Sequence, residues 1–240
     1  MSQAVTPALS ARIESARAVL RQLSAGHKNI VFANSMGAED MVLTDLILKE
    51  FPGIGIFSLD TGRLPEETYA LMQRLEEKYR YRIKLYYPDT AAIENFVREN
   101  GINAFYNSVE MRKECCRIRK VEPLKRALAG QDAWITGQRR SQSVTRTALE
   151  PVEYDHTFNL DKANPLYDWE EQDVWAYIRT CEVPYNALHD RHYPSIGCAP
   201  CTRAITKGED IRAGRWWWEN PESKECGLNP GTVSPLPRRG

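Results

Sequence analysis

The chain has 240 residues, 42% hydrophobic and 27% charged, enough for one sizeable core with at most a small appendage. Lys plus Arg and Asp plus Glu both number 32, so no overall field draws nucleic acid or a membrane surface, and any basic site is local. The opening "MSQAVTPALSARIESARAVLRQL" lacks a charged region followed by an apolar one, and no apolar run approaches the roughly 18 residues of a membrane span; neither a secretory signal nor an anchor is expected.

Leu9, Ile13, Ala16, Leu20 and Leu23 recur at helical spacing and predict an amphipathic helix over 8–25. "NIVFANS" reads as a short buried strand and "MGAEDMVLTDLILKEFP" as a helix stopped near Pro52. "IGIFSLDTG" is a second strand, and "LPEETYALMQRLEEKY" a helix with Pro65 near its first turn. "RIKLYYP" is a third strand, followed by helical "AAIENFVREN"; a further helix covers 112–128, and "DAWITGQRR" is a fourth strand. Strands alternating with helices imply parallel pairing with helices on both faces, a doubly wound α/β sheet.

Ligands of such sheets bind beyond the carboxyl ends of the strands, where this chain places "NSMGAED", "LDTGR" and "TGQRRSQSVTR". From about residue 165, "NPLYDWEEQDVWAYIRTCEVPYNALHDRHYP" predicts a capped helix and then an irregular, aromatic-rich segment. The final "NPESKECGLNPGTVSPLPRRG" is rich in Pro, Gly and Ser without apolar periodicity. The expected organisation is a body over 1–215 and a flexible tail over 216–240.

Six cysteines, at 115, 116, 181, 198, 201 and 226, are too few for a disulfide scaffold. In a reducing cytosol such clusters read as metal ligands or reactive thiols, so a cytoplasmic location is expected. Adjacent Cys115 and Cys116 are poor disulfide partners because the resulting ring is strained. Cys198 and Cys201 have C-x-x-C spacing, which lets two sulfurs face one metal centre. Together the two segments offer four thiolates, the ligand set of structural zinc sites and of iron–sulfur clusters.

The adjacent pair suits zinc poorly, since zinc sites separate paired cysteines by two to four residues. An iron–sulfur cluster is the favoured reading, with zinc or plain buried or redox thiols as alternatives. Cys181 reads as a core residue. His189 and His192 have a spacing that could serve a metal but lack a third ligand, so packing or surface roles are expected.

Basic residues gather in three places: Arg117, Arg119 and Lys120; Arg139, Arg140 and Arg146; Arg212 and Arg215. Gly137 lets backbone N–H groups approach an anion, and guanidiniums match phosphate or sulfate oxygens, so an anionic small molecule is the expected ligand. Ser35 and Gly37 stand at a strand-to-helix turn suited to phosphate, although a plain helix cap aided by Glu39 and Asp40 explains the same residues. The run Trp216–Trp218 reads as packing or a lid. Cys226, in a polar tail, reads as a nucleophile on a swinging arm, the alternative being an exposed thiol.

The paired cysteines, "IGCAPCTR", "GRWWW" and "KECG", with "GAED", "LDTGRL" and "TGQRRSQS", closely resemble assimilatory adenylyl-sulfate (APS) reductases, from about residue 30 to 230. That resemblance implies a PP-loop-like adenine-nucleotide fold and a [4Fe–4S] cluster on Cys115, Cys116, Cys198 and Cys201. It implies Cys226 as nucleophile, and Lys120, Arg212 and Arg215 as contacts of the phosphosulfate or the cluster. Ser35, Gly37, Asp60, Gly137, Arg139 and Arg140 complete the expected substrate site.

The implied reaction is reduction of adenosine 5′-phosphosulfate to sulfite and AMP through an S-sulfocysteine, with thioredoxin or glutaredoxin as reductant, in sulfate assimilation toward cysteine. A 3′-phosphoadenylyl-sulfate or dual-specificity enzyme is the near alternative. More distant are a PP-loop ATP pyrophosphatase or tRNA-thiolating enzyme, for which "NSMGAED" lacks the Gly-Gly and terminal Ser of "SGGxDS", and a non-catalytic four-cysteine metal module. Two positions depart from the family pattern: Asn229 stands where a histidine is usual in the tail, and Pro65 replaces another after "LDTGRL". The number of copies in the assembly, homo-oligomer or monomer, stays open.

Overall fold

The computed structural model describes residues 6–142 and 149–220. Helix α1 (Pro7–Gly26) starts where Thr6 Oγ1 accepts from the Leu9 N–H at 3.2 Å, with Pro7 at the first helical position. It buries Leu9, Ile13, Ala16, Val19, Leu20 and Leu23, the stripe its periodicity predicts. Strand β1 (Ile30–Ala33), helix α2 (Ala38–Glu50), β2 (Gly55–Leu59), α3 (Glu66–Tyr79), β3 (Lys84–Tyr86) and α4 (Thr90–Asn100) follow in alternation. Pro65 is the N-cap of α3, one position before its first turn.

The helix expected over 112–128 begins earlier and is not uniform. It comprises α5 (Val109–Cys116), a π-helical segment (Arg117–Val121) and α6 (Glu122–Leu128), capped by Ser108 Oγ accepting from Met111 N–H. Strand β4 (Ala133–Ile135) comes next. Two further strands, β5 (Val152–Asp155) and β6 (Leu160–Ala163), were not predicted; they form an antiparallel hairpin ahead of α7 (Glu171–Thr180). Each is four residues long and carries charged side chains, so the alternation signal is weak.

The six strands order as β3-β2-β1-β4-β6-β5, all parallel except the edge pairing of β5 with β6. From β1 the chain winds outward through β2 and β3, then returns to β1's other side with β4. The direction of winding therefore reverses between β1 and β4, opening a crevice at their carboxyl ends.

Alternate residues of β1 serve the two sheet faces. Ile30 and Phe32 join the large core made with α1, α2, α3 and α7, while Val31 and Ala33 face a smaller one with Phe57, Leu124, Leu128 and Trp134. The architecture is the doubly wound α/β fold expected. Among the described residues no helix is long and apolar enough to cross a membrane.

In the large core, the fully buried Asp45 of α2 accepts from the Tyr79 hydroxyl of α3 and the Tyr177 hydroxyl of α7, both at 2.7 Å, and from Lys49 Nζ at 2.8 Å. Burial first, and then this carboxylate, push both phenols above their ordinary range. One carboxylate thus ties three helices. Asp45→Ala leaves the buried Tyr177 and half-buried Tyr79 hydroxyls without their acceptor and should cost roughly 3 kcal/mol in urea unfolding, against about 1 kcal/mol for Tyr177→Phe.

Candidate active site

A cavity of about 1190 Å³ lies at the β1/β4 crevice. Its floor is made by the turn after β1, the first turn of α2, and residues 136–139 after β4. In the first turn Asn34 Oδ1 accepts from the Met36 N–H at 2.7 Å, and Met36 takes a left-handed φ of 63°. Asp40 binds the two turns together. Its carboxylate accepts from Ser35 N–H (2.7 Å), Ser35 O–H (2.6 Å) and the backbone N–H of Gly137.

The approach is close enough that a Cβ on Gly137 would lie 2.1 Å from Asp40 Oδ1, so this position must be glycine. Burial raises the Asp40 pKa from 3.8 to about 6; the Ser35 hydrogen bonds oppose the shift and Glu39 adds to it. From sequence Asp40 reads as a helix-dipole residue; a carboxylate next to a required glycine 97 positions away leaves no local signal.

Seven of the expected substrate residues line this cavity: Ser35, Gly37, Lys120, Gly137, Arg139, Arg212 and Arg215. The remaining two, Asp60 and Arg140, do not. Asp60 is buried, accepting from Gly62 N–H and the Tyr69 hydroxyl to shape the "LDTGR" turn. Arg140 donates from Nε to the Leu149 carbonyl, and its guanidinium lies over the Tyr167 ring. Both stand at the expected strand ends, and their side chains are engaged away from the cavity. Arg146, the third arginine of that turn, lies outside the described residues.

The cations differ in their commitments. Arg139 is buried and donates from Nε and Nη2 to Glu39 at 2.9 and 2.8 Å, so its charge is matched within the protein. Arg215 is matched least: Nε is buried without a partner, and Nη1 reaches Ser195 Oγ and the Ile196 carbonyl only at 3.4 Å. Its guanidinium presses on the backbone at Gly197, where an added Cβ would come within 2.3 Å of Nη2. A half-buried guanidinium whose buried Nε has no acceptor, at a cavity wall, suits an anion.

Phe57, Leu59, Leu124 and Trp134 add apolar surface to the same lining. A cavity lined by both apolar and cationic side chains fits a ligand that is apolar in one part and anionic in another.

Cys115, Cys116, Cys198 and Cys201 are all buried thiols outside any disulfide, and they surround one small void with Arg63, Phe105, Arg112, Arg119, Lys120 and Pro200. Successive residues of a helix are turned by about 100°, so Cys115 and Cys116 present their sulfurs in different directions, and the π segment immediately follows. The C-x-x-C turn is held by Ala199 N–H donating to the Arg63 carbonyl at 2.8 Å; Thr61 Oγ1 lies 3.3 Å from Cys198 Sγ.

Burial pushes Cys201 up to about 12, with Cys198 adding and Lys120 and Arg215 opposing; burial also raises Cys115, with Arg119 opposing. Arg119 Nε is itself buried without a partner. Four thiols ringed by cations, one with an orphan donor, fit a bound group that carries net negative charge once the thiols ionise. Among the described residues no three His, Cys, Asp or Glu side chains converge on a single-ion site.

Lys120 lines both the thiol void and the large cavity. Cys181 caps α7 and packs against the large core, as expected. His189 packs edge-on against Trp175 at 5.2 Å, with burial lowering its pKa, and His192 closes a short helix with φ 66°. Trp216 is buried beneath the Arg112 and Arg215 guanidiniums, at 4.6 and 4.7 Å from its ring. Glu219 is held by Arg112, so the tail expected from 216 is packed into the body through 219. Cys226 and Asn229 lie outside the described residues.

The fold and cavity define a doubly wound α/β protein whose ligand site lies at the β1/β4 switch. A family model for the phosphoadenosine phosphosulfate reductase domain matches residues 29–204, and the chain belongs to that family. It is 55% identical to the adenosine 5′-phosphosulfate reductase of Burkholderia cepacia, covering 98% of this chain and 94% of that one. Identity to the adenosine 5′-phosphosulfate reductase of Allochromatium vinosum is 56%, covering 96% and 90%. The crystal structure of phosphoadenylyl-sulfate reductase from Candida auris superposes with a TM-score of 0.69 at 27% identity, covering 85% of this chain and 100% of that one.

The raised Asp40 pKa makes the folded state hold a proton that the unfolded chain gives up near pH 4. Stability from this group is therefore present at low pH and lost as pH rises from about 4 to about 6. In urea unfolding, wild type should lose roughly 2–3 kcal/mol relative to Asp40→Asn between pH 4 and pH 7.

Proposed function

We propose that this chain reduces adenosine 5′-phosphosulfate to sulfite and AMP, with Cys226 as nucleophile and a thioredoxin-type protein dithiol as electron donor. The observation that carries the reading is Lys120, which faces the nucleotide-sized cavity on one side and the four-thiol void on the other. The preference for adenosine 5′-phosphosulfate over its 3′-phosphorylated form rests on likeness to the relatives that bear that name.

In this reading the adenine lies against Phe57, Leu124 and Trp134, and the phosphosulfate against Lys120, Arg212 and Arg215. The Cys226 thiolate attacks the sulfur of the mixed anhydride, an S–S bond forms, and the S–O bond to AMP breaks with its electron pair leaving on AMP. The cations offset repulsion between the anionic nucleophile and the anionic substrate. A thiolate of the reductant then attacks Cys226 Sγ and expels sulfite. Its second thiol resolves the mixed disulfide, leaving the reductant oxidised by two electrons and the Cys226 thiolate regenerated.

Cys115, Cys116, Cys198 and Cys201 would hold a [4Fe–4S] cluster. When bound, such a cluster supplies fixed charge beside the sulfate end of the site. Arg119 and Lys120 counter the thiolates, and Thr61 stands against Cys198.

Cys226→Ser should abolish sulfite release while leaving AMP affinity and visible absorbance unchanged. Mass spectrometry of wild type incubated with substrate, without reductant, should find one added SO₃ on the peptide holding Cys226; an unmodified peptide rejects the mechanism. Lys120→Ala should slow formation of that adduct by about 10²-fold in single-turnover assays, the scale of losing one charge-stabilising donor.

A further inference from the structure

An exposed aromatic patch lies against the C-x-x-C turn. Tyr106 and Trp217 are 40% and 48% exposed, their rings 6.5 Å apart, and both pack on Trp218 at 4.4 and 5.5 Å. Ile102, in the same loop as Tyr106, is 63% exposed. The patch is rigidly backed, since the Tyr106 hydroxyl donates to the Pro200 carbonyl inside the C-x-x-C turn at 2.7 Å. Exposed Trp and Tyr on a fixed base have the composition of a protein-binding hot spot.

What can reach this patch is limited by a buried ion pair. Arg112 donates from Nε and Nη2 to Glu219 at 2.9 and 2.7 Å, with side-chain exposures of 1% and 3%. The chain is thereby pinned two residues beyond Trp217. Cys226 follows seven residues later, so its sulfur stays within about 25 Å of the pin however the segment runs. A protein that reacts with Cys226 outside the cavity meets it within that radius of the pin, and the patch, with Trp217 two residues from Glu219, lies inside it.

We infer that Ile102, Tyr106 and Trp217 form the docking surface for the protein dithiol that discharges Cys226, an assignment that rests on the reductase reading above. The tether favours this occupant over unrelated partners, because the redox pair must come within bonding distance of a sulfur held on a short leash. The surface acts only in the discharge half of the cycle and takes no part in forming the S-sulfo adduct.

The test uses the full chain with Trp217→Ala and, separately, Ile102→Asp, a more exposed position whose change leaves the aromatic packing intact. Turnover is measured with a thioredoxin and with dithiothreitol, which needs no docking surface. For each variant KM for thioredoxin should rise about ten-fold, while adduct formation and the dithiothreitol-driven rate stay at wild-type values. An unchanged KM for thioredoxin in both variants overturns the inference.

Equal loss with both reductants also overturns it, showing that the patch serves the chain's own residues 221–240. A change of mass in light scattering caused by either variant overturns it in favour of a contact between copies. If wild type itself forms no adduct on Cys226, the reductase reading fails, a result distinct from all of these.

Discussion

The Asp40 carboxylate is the constraint on which the site depends. It takes the Ser35 and Gly137 backbone N–H groups and the Ser35 hydroxyl, the donors that a strand-to-helix turn could otherwise offer to a phosphate. The two turns are locked together across the sheet's switch point, and an internal anion already sits where an external one is commonly held. Side-chain cations then carry more of any attraction for an anionic ligand. The cavity supplies Lys120 from the π segment and Arg212 and Arg215 from the loop after the C-x-x-C turn.

Both sources of positive charge are also neighbours of cysteines. Lys120 follows Cys115 and Cys116 by about one helical turn, and Arg215 favours the ionisation of Cys201 against burial and its thiol neighbours. The same two chain segments therefore build the thiol ring and the cationic wall. Asp40 shifts binding toward the wall, and the wall cannot be arranged without the ring. Arg112 extends the linkage, reaching from the cysteine helix to Glu219.

Much of this was legible in the sequence because it is periodic or clustered. The βα alternation, the strand-end turns and the two cysteine pairs are all visible within windows of a few residues. The β5–β6 hairpin was not, since its short strands mix charged with apolar residues. Long-range pairs were invisible for a different reason. Arg112 with Glu219 and Arg139 with Glu39 are about a hundred residues apart, and charge alone does not name a partner. Asp60 and Arg140 show the converse limit: sequence places a residue at a strand end, but the hydrogen bonds of Tyr69 and Leu149 decide which way its side chain turns.

The contact between Arg215 and Gly197 couples the two halves of the molecule in another currency, that of tolerated substitution. A Cβ at 197 would meet the guanidinium, so the residue immediately before Cys198 cannot gain a side chain unless an arginine eighteen positions further on moves aside. Neither half of the site is thus at liberty to drift: an exchange that suits the thiol turn alone evicts a cation from the ligand wall. Transplanting this C-x-x-C turn into another scaffold would carry the same obligation, a vacant volume beside its first cysteine that only a bare backbone leaves open.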